Sequence, residues 1–112
     1  MEVSITHLEQ IKIIHISGEL NAVTSLDAES KFTQLIMGGN HRLIIDLDKL
    51  NYISSAGLRI FLIANKLVKK NVSGEIAFCN LNHNVKEVFE ISGFNLIFKC
   101  FPDLNAAMAS LL

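Results

Sequence analysis

Short apolar runs alternate along this chain with stretches whose apolar residues recur every three or four positions. Val3 to Thr6 alternates, with Val3 and Ile5 on one side and Ser4 and Thr6 on the other, which predicts a half-buried strand. Ile11 to Ser17 is dense in isoleucine and reads as a second strand, and the short gap between the two suits an antiparallel hairpin. In "GELNAVTSLDAES", Thr24 with Asp27 three positions later fits a capping box. Ala28, Phe32, Leu35 and Ile36 then follow at helical spacing, and Gly38 to Asn40 ends the helix. Leu43 to Leu47 is almost continuously apolar, as a strand buried on both faces of a parallel sheet would be. Beyond it, "YISSAGLR" (Tyr52 to Arg59) leads into a helix that reaches about Lys70.

"NVSG" breaks that helix, and Glu75 to Asn80 is a fourth strand. A helix from Asn82 to Ser92 carries Val85, Val88, Phe89 and Ser92 on one face. Gly93 can take the left-handed conformation that closes it, with Phe94 folding back on Phe89. Leu96 to Cys100 reads as a short fifth strand, and a last helix beginning near Pro102 carries Leu104, Met108 and Leu111. The order ββαβαβαβα predicts one α/β domain over residues 1–112. Its sheet is mixed and mostly parallel, with four to five strands, an antiparallel N-terminal hairpin and about four helices.

Composition narrows the function classes. The 112 residues fit a single domain, and half of them are hydrophobic, enough for a substantial core. A formal net charge of -1, without interleaved basic and aromatic residues, argues against direct nucleic-acid binding. No apolar run approaches the ~20 residues of a spanning helix, which argues against membrane insertion. "MEVSITHLEQ" lacks the basic and apolar regions of a signal peptide, so the cytoplasm is the expected location. Cys79 and Cys100 read as small buried hydrophobes. His7, His15, His41 and His83 show no metal-ligand spacing, and no cofactor or metal is expected.

The candidate chemistry lies at the serine joint. Sites in open α/β sheets sit beyond the C-terminal ends of the strands, and the first N–H groups of a helix have no intrahelical partner. Two readings follow. Ser54 caps the helix, Ser55 fills its first turn and Gly57 relieves packing; or one serine carries a phosphate at the positive end of the helix dipole. A nucleophilic serine would need a base, and His83 is the one nominee; "SSAGL" is not the G-x-S-x-G elbow. Without a phosphate-binding loop or kinase signature, any phosphoryl group must come from another protein. "DLD" at Asp46 to Asp48 invites comparison with a receiver domain, but the first strands supply no acidic pair to complete a magnesium site, so the two read as solvated carboxylates at a strand end. In the helix after the joint, Leu58, Phe61, Leu62 and Val68 form a core stripe. Ile60, Ile63 and Leu67 fall partly outside it, either under neighbouring helices or facing a partner. Arg59, Lys66 and Lys70 share a solvated rim.

The chain resembles the STAS domain family, in particular its stand-alone bacterial anti-sigma factor antagonists. The resemblance rests on "ISGELNAVTS" at Ile16 to Ser25, "LIIDLDKLNYISSAGLRIFL" at Leu43 to Leu62 and "VKEVFEISGFNLIF" at Val85 to Phe98. It implies a non-enzymatic regulator, a monomer or weak dimer, that binds an anti-sigma factor serine kinase of the histidine-kinase-like ATPase fold and so frees a sigma factor. Phosphorylation by that kinase would break the complex, and a PP2C-type phosphatase would restore it. The implied phospho-acceptor is Ser55, two residues before Gly57, with Ser54 as a competitor. The implied partner surface comprises Asn21, Ser54, Ser55, Ala56, Gly57, Arg59, Ile60 and Ile63. Two positions depart from the family pattern: Ser54 replaces the usual acid before the acceptor, and Asn21 replaces the aspartate of G-E-L-D. A STAS accessory subunit of another complex, such as a lipid-transport ATPase, is the alternative and needs no phosphorylation.

Overall fold

The computed structural model describes residues 1–112. The chain forms β1 (Glu2–His7), β2 (Lys12–Leu20), α1 (Thr24–Met37), β3 (Arg42–Asp46), β4 (Leu50–Ile53), α2 (Ser55–Val68), β5 (Glu75–Cys79), α3 (His83–Ser92), α4 (Phe94–Ile97), β6 (Lys99–Phe101) and α5 (Leu104–Leu111). The sheet order is β1-β2-β3-β5-β6, with β4 set against the far end of β2. β1 is antiparallel to β2, and every other pairing is parallel. The predicted mixed α/β domain is therefore present, with six strands and five helices.

Alternation along the strands divides the core between the two faces. Ile14 and Ile16 of β2, Leu43 and Ile45 of β3, and Ile76 and Phe78 of β5 join buried residues of α1, α2 and α3 in the larger core. Ile13, Ile44, Ala77 and Cys79 point the other way, under Ala107 and Leu111 of α5. The larger core is built around phenylalanines: Phe78 meets Phe61, Phe89 and Phe98 edge to face at centroid distances of 4.9, 5.2 and 5.0 Å. Such pairs add about 0.5–1.5 kcal/mol each beyond burial. At the end of α3, Gly93 takes φ +80°, and Phe94 turns back to 5.5 Å from Phe89.

Several elements differ from the sequence reading, each for a local reason. β4 is an additional strand without a periodic signature: its buried residues, Leu50 and Ile53, are three apart and do not alternate. It pairs with β2 over Gly18 to Leu20, with an irregularity in the register between Gly18 and Glu19, so one strand serves two neighbours in line. The last strand starts at Lys99 rather than Leu96. Phe94 and Phe98 are both buried and four apart, and the Phe98 N–H bonds Phe94 O at 2.8 Å. That helical turn leaves Leu96 and Ile97 exposed despite their apolarity. Pro102 lies outside α5, whose cap is Asp103, accepting from the Ala106 N–H at 2.8 Å. Ser92 is exposed, off the buried face of α3. Cys79 is buried as expected, whereas Cys100, on the short edge strand, is exposed.

Candidate functional site

Two helix N-termini meet at the C-terminal ends of β2 and β4. The Ser54 N–H bonds Leu20 O at 2.8 Å, tying the start of α2 to the last residue of β2. α1 begins four residues beyond Leu20, and its Phe32 stacks on Phe61 of α2 at 6.0 Å.

The α2 end assigns its two hydroxyls different tasks. Ser54 has extended backbone and its Oγ accepts from the Gly57 N–H at 3.3 Å, which makes it the N-cap. The first intrahelical bond runs from the Leu58 N–H to Ser54 O, 3.0 Å. Ser55 is the first helical residue, and it is exposed. Its hydroxyl therefore stands at the positive end of the helix dipole without a capping task. Gly57 is buried where α2 passes closest to the sheet: a Cβ there would lie 2.8 Å from Ile53 Cγ1 and 2.9 Å from Leu20 Cβ. Only a residue without a side chain lets the helix start this close to the strand ends.

The α1 end is capped one step earlier than Thr24/Asp27. Asn21 Oδ1 accepts from the Val23 and Thr24 N–H groups, both at 2.9 Å, and Thr24 Oγ1 accepts from the Asn21 N–H at 2.9 Å. The reciprocal box is thus Asn21 with Thr24, while Asp27 pairs with Lys31 at 2.9 Å. Both departures from the family pattern thereby acquire a physical account. Asn21 and Ser54, the two positions where the resemblance implies an acid, each supply an uncharged oxygen that caps a helix.

The remaining predicted residues divide by exposure. Arg59 is exposed, one helical turn beyond Ser55, and Ala56 is half-buried. Ile60 is only 3 % exposed and belongs to the larger core, so it cannot serve as a contact residue. Ile63 is half-buried, and Leu62, predicted for the core stripe, is exposed instead. The buried face of α2 is Gly57, Ile60, Phe61, Ala64 and Val68: the glycine begins the stripe and rotates it relative to one counted from Leu58. Three further large apolar residues are exposed at this end: Val23 and Leu26 at the start of α1, and Tyr52 on β4. Leu26 had a signal, since it falls off the Ala28–Phe32–Ile36 period.

His83 lies at the start of α3, exposed and 3.5 Å from Glu87. Nothing pairs it with Ser55. A nucleophile–histidine–carboxylate chain does exist, on the opposite face of the sheet. Thr6 Oγ1 is 3.0 Å from His15 Nε2, and His15 Nδ1 is 2.8 Å from Asp46 Oδ2. Asp46 Oδ1 also accepts from Asn80 Nδ2 at 3.0 Å and from the Asp48 N–H at 3.1 Å. Asp46 is thus an organised acceptor with a side chain 14 % exposed, not the solvated carboxylate predicted. Burial by itself would raise its pKa. The hydrogen bonds from Asn80, His15 and the Asp48 N–H, with the nearby His15 charge, outweigh burial and hold it below the usual carboxylate value. Burial, reinforced by Asp46, Asp103 and Asp48, pushes the Cys79 thiol up to about 12, so it is inert as a nucleophile.

No helix is long and apolar enough to cross a membrane. The family profile described as "STAS domain" matches residues 2–107. BtrV of Bordetella bronchiseptica, named as a candidate anti-sigma factor antagonist, is 36 % identical over 98 % of this chain and 94 % of its own. A Thermotoga maritima crystal structure, likewise of a candidate anti-sigma factor antagonist, superposes with a TM-score of 0.90 at 18 % identity, covering 97 % of this chain and 93 % of that one. The Bacillus cell-fate determinant SpoIIAA in its phosphorylated form superposes with a TM-score of 0.75 at 18 % identity, covering 99 % and 100 %.

Proposed function

The chain belongs to the STAS domain family, and on that premise we propose that it is a cytoplasmic anti-sigma factor antagonist switched off by phosphorylation at Ser55. The observation that carries the proposal is the division of labour at the α2 terminus: Ser54 caps the helix, and Ser55 keeps an exposed hydroxyl at the same positive end. The partners are an anti-sigma factor that is itself a serine kinase, and a PP2C-type phosphatase. The description of BtrV and the phosphorylated form of SpoIIAA both support this reading.

The mechanism is blockage of a docking surface. A phosphate adds about -1.5 to -2 charge at pH 7. On Ser55 it lies beside the N–H groups that precede the first intrahelical bond, where a negative charge gains about 0.3–1 kcal/mol. Arg59, one turn on, can pair with it. The domain stays folded while the surface between the α1 and α2 starts gains bulk and charge. In place of Ile60, the contact set takes Val23, Leu26, Tyr52 and Leu62, together with Asn21, Ser54, Ser55, Ala56, Arg59 and Ile63; buried Gly57 shapes the surface from beneath. Ser55→Asp tests this in binding to the cognate anti-sigma factor. The expected result is unchanged circular dichroism and affinity at least tenfold weaker. Equal affinity would favour an accessory subunit that grips its partner without a switch.

A further inference from the structure

We propose that this protein pairs with a second copy of itself through the free edge of β1, across a two-fold axis at Ser4. The two sheet edges differ. β6 is three residues long and begins with Lys99, which is how natural edges avoid pairing. β1 is six residues long, pairs with β2 without a bulge from Glu2 to His7, and carries neither lysine nor proline. The Leu8 N–H bonds Ile11 O at the turn, 3.0 Å, which fixes the alternation of the ladder. Ser4 therefore bonds inward opposite His15, and the backbone groups of Val3 and Ile5 point away from the sheet, unpaired.

A second β1 run antiparallel on this edge meets it in a self-complementary register. Val3 of each copy stands opposite Ile5 of the other and exchanges both backbone bonds, with Ser4 facing Ser4 on the axis. This register keeps the faces matched, with Val3 and Ile5 on the α1 side and Glu2, Ser4 and Thr6 on the other. It also places the Glu2 carboxylate opposite the second copy's Thr6 hydroxyl, so no like charges face each other. On the α1 side, a cleft of about 410 Å³ lined by Val3, Ile5, Lys31, Gln34 and Leu35 flanks the edge. The second copy's Val3 and Ile5 complete its open wall.

Sedimentation velocity of the full chain from micromolar to millimolar concentration tests the pairing. A concentration-dependent dimer is expected, and Ser4→Lys, which sets two ammonium groups face to face on an exposed position, should weaken it at least tenfold with unchanged circular dichroism. Ser4→Cys in a Cys100→Ser background should oxidise to a covalent dimer, because directly opposed residues of this kind lie about 4.5 Å apart at Cα. Thr6→Cys in the same background should not. A protein monomeric at millimolar concentration, a dimer indifferent to Ser4→Lys, or equal cross-linking by both cysteine variants would overturn the proposal.

Discussion

The start of α2 and the Thr6–His15–Asp46–Asn80 chain both gather polar groups at strand ends, on opposite faces of one sheet. At Asp46, both carboxylate oxygens are engaged: three hydrogen bonds converge there from β2, the β3–β4 turn and the residue after β5. At α2, one hydroxyl caps and its neighbour is left to solvent. The cluster that looks catalytic is thus a fastening between strands, and the plainer site is the one with a group free to react. Perturbed ionisation marks structure here as readily as function.

The comparison predicts effects of unequal size. Asp46→Asn should cost about 1.5–3 kcal/mol in chemical denaturation, because buried hydrogen bonds to a charged acceptor are lost. It should leave phosphoryl acceptance at Ser55 intact, and a parallel loss of acceptance would show that the two regions are coupled. The same variant sharpens the pH behaviour. A carboxyl held below its ordinary value of 3.8 contributes stability above that value, and the contribution is lost as pH falls through the lower folded-state pKa. Wild type should therefore show an acid-side loss of stability that Asp46→Asn lacks in part, measurable as Tm against pH between about 5 and 2.

Gly57→Ala comes next, at about 1–3 kcal/mol, since the added methyl must displace Ile53 or Leu20. It should also shift the α2 start and weaken partner binding. Ser54→Ala should cost about 1 kcal/mol as a lost cap. Ser55→Ala should change stability by less than about 0.5 kcal/mol, the ordinary scale of an exposed substitution. Equal costs at the two serines would erase the distinction between cap and acceptor.

Much of this arrangement was legible in the residues. Periodicity placed β1, β2, β3, β5 and the main helices, because each buries a regular stripe. The capping residues were legible where hydroxyls precede apolar runs, as at Ser54. β4 was not, since Leu50 and Ile53 are buried by pairing with a distant strand and not by local alternation. Nor was the Asp46 chain, whose members lie 9 to 34 residues apart and meet only through sheet register. Ile60 and Leu62 exchanged roles because a glycine with no apolar mass leads the buried stripe, and counting from Leu58 misses it.

The central claim is that the free hydroxyl, not the capping one, receives the phosphate. Incubating wild type, Ser54→Ala and Ser55→Ala with the cognate anti-sigma kinase and ATP, then locating the modification by intact and fragment mass, tests it directly. The account predicts one phosphate on Ser55 in wild type and in Ser54→Ala, and none in Ser55→Ala. Phosphate on Ser54, or an unmodified wild type, would contradict it.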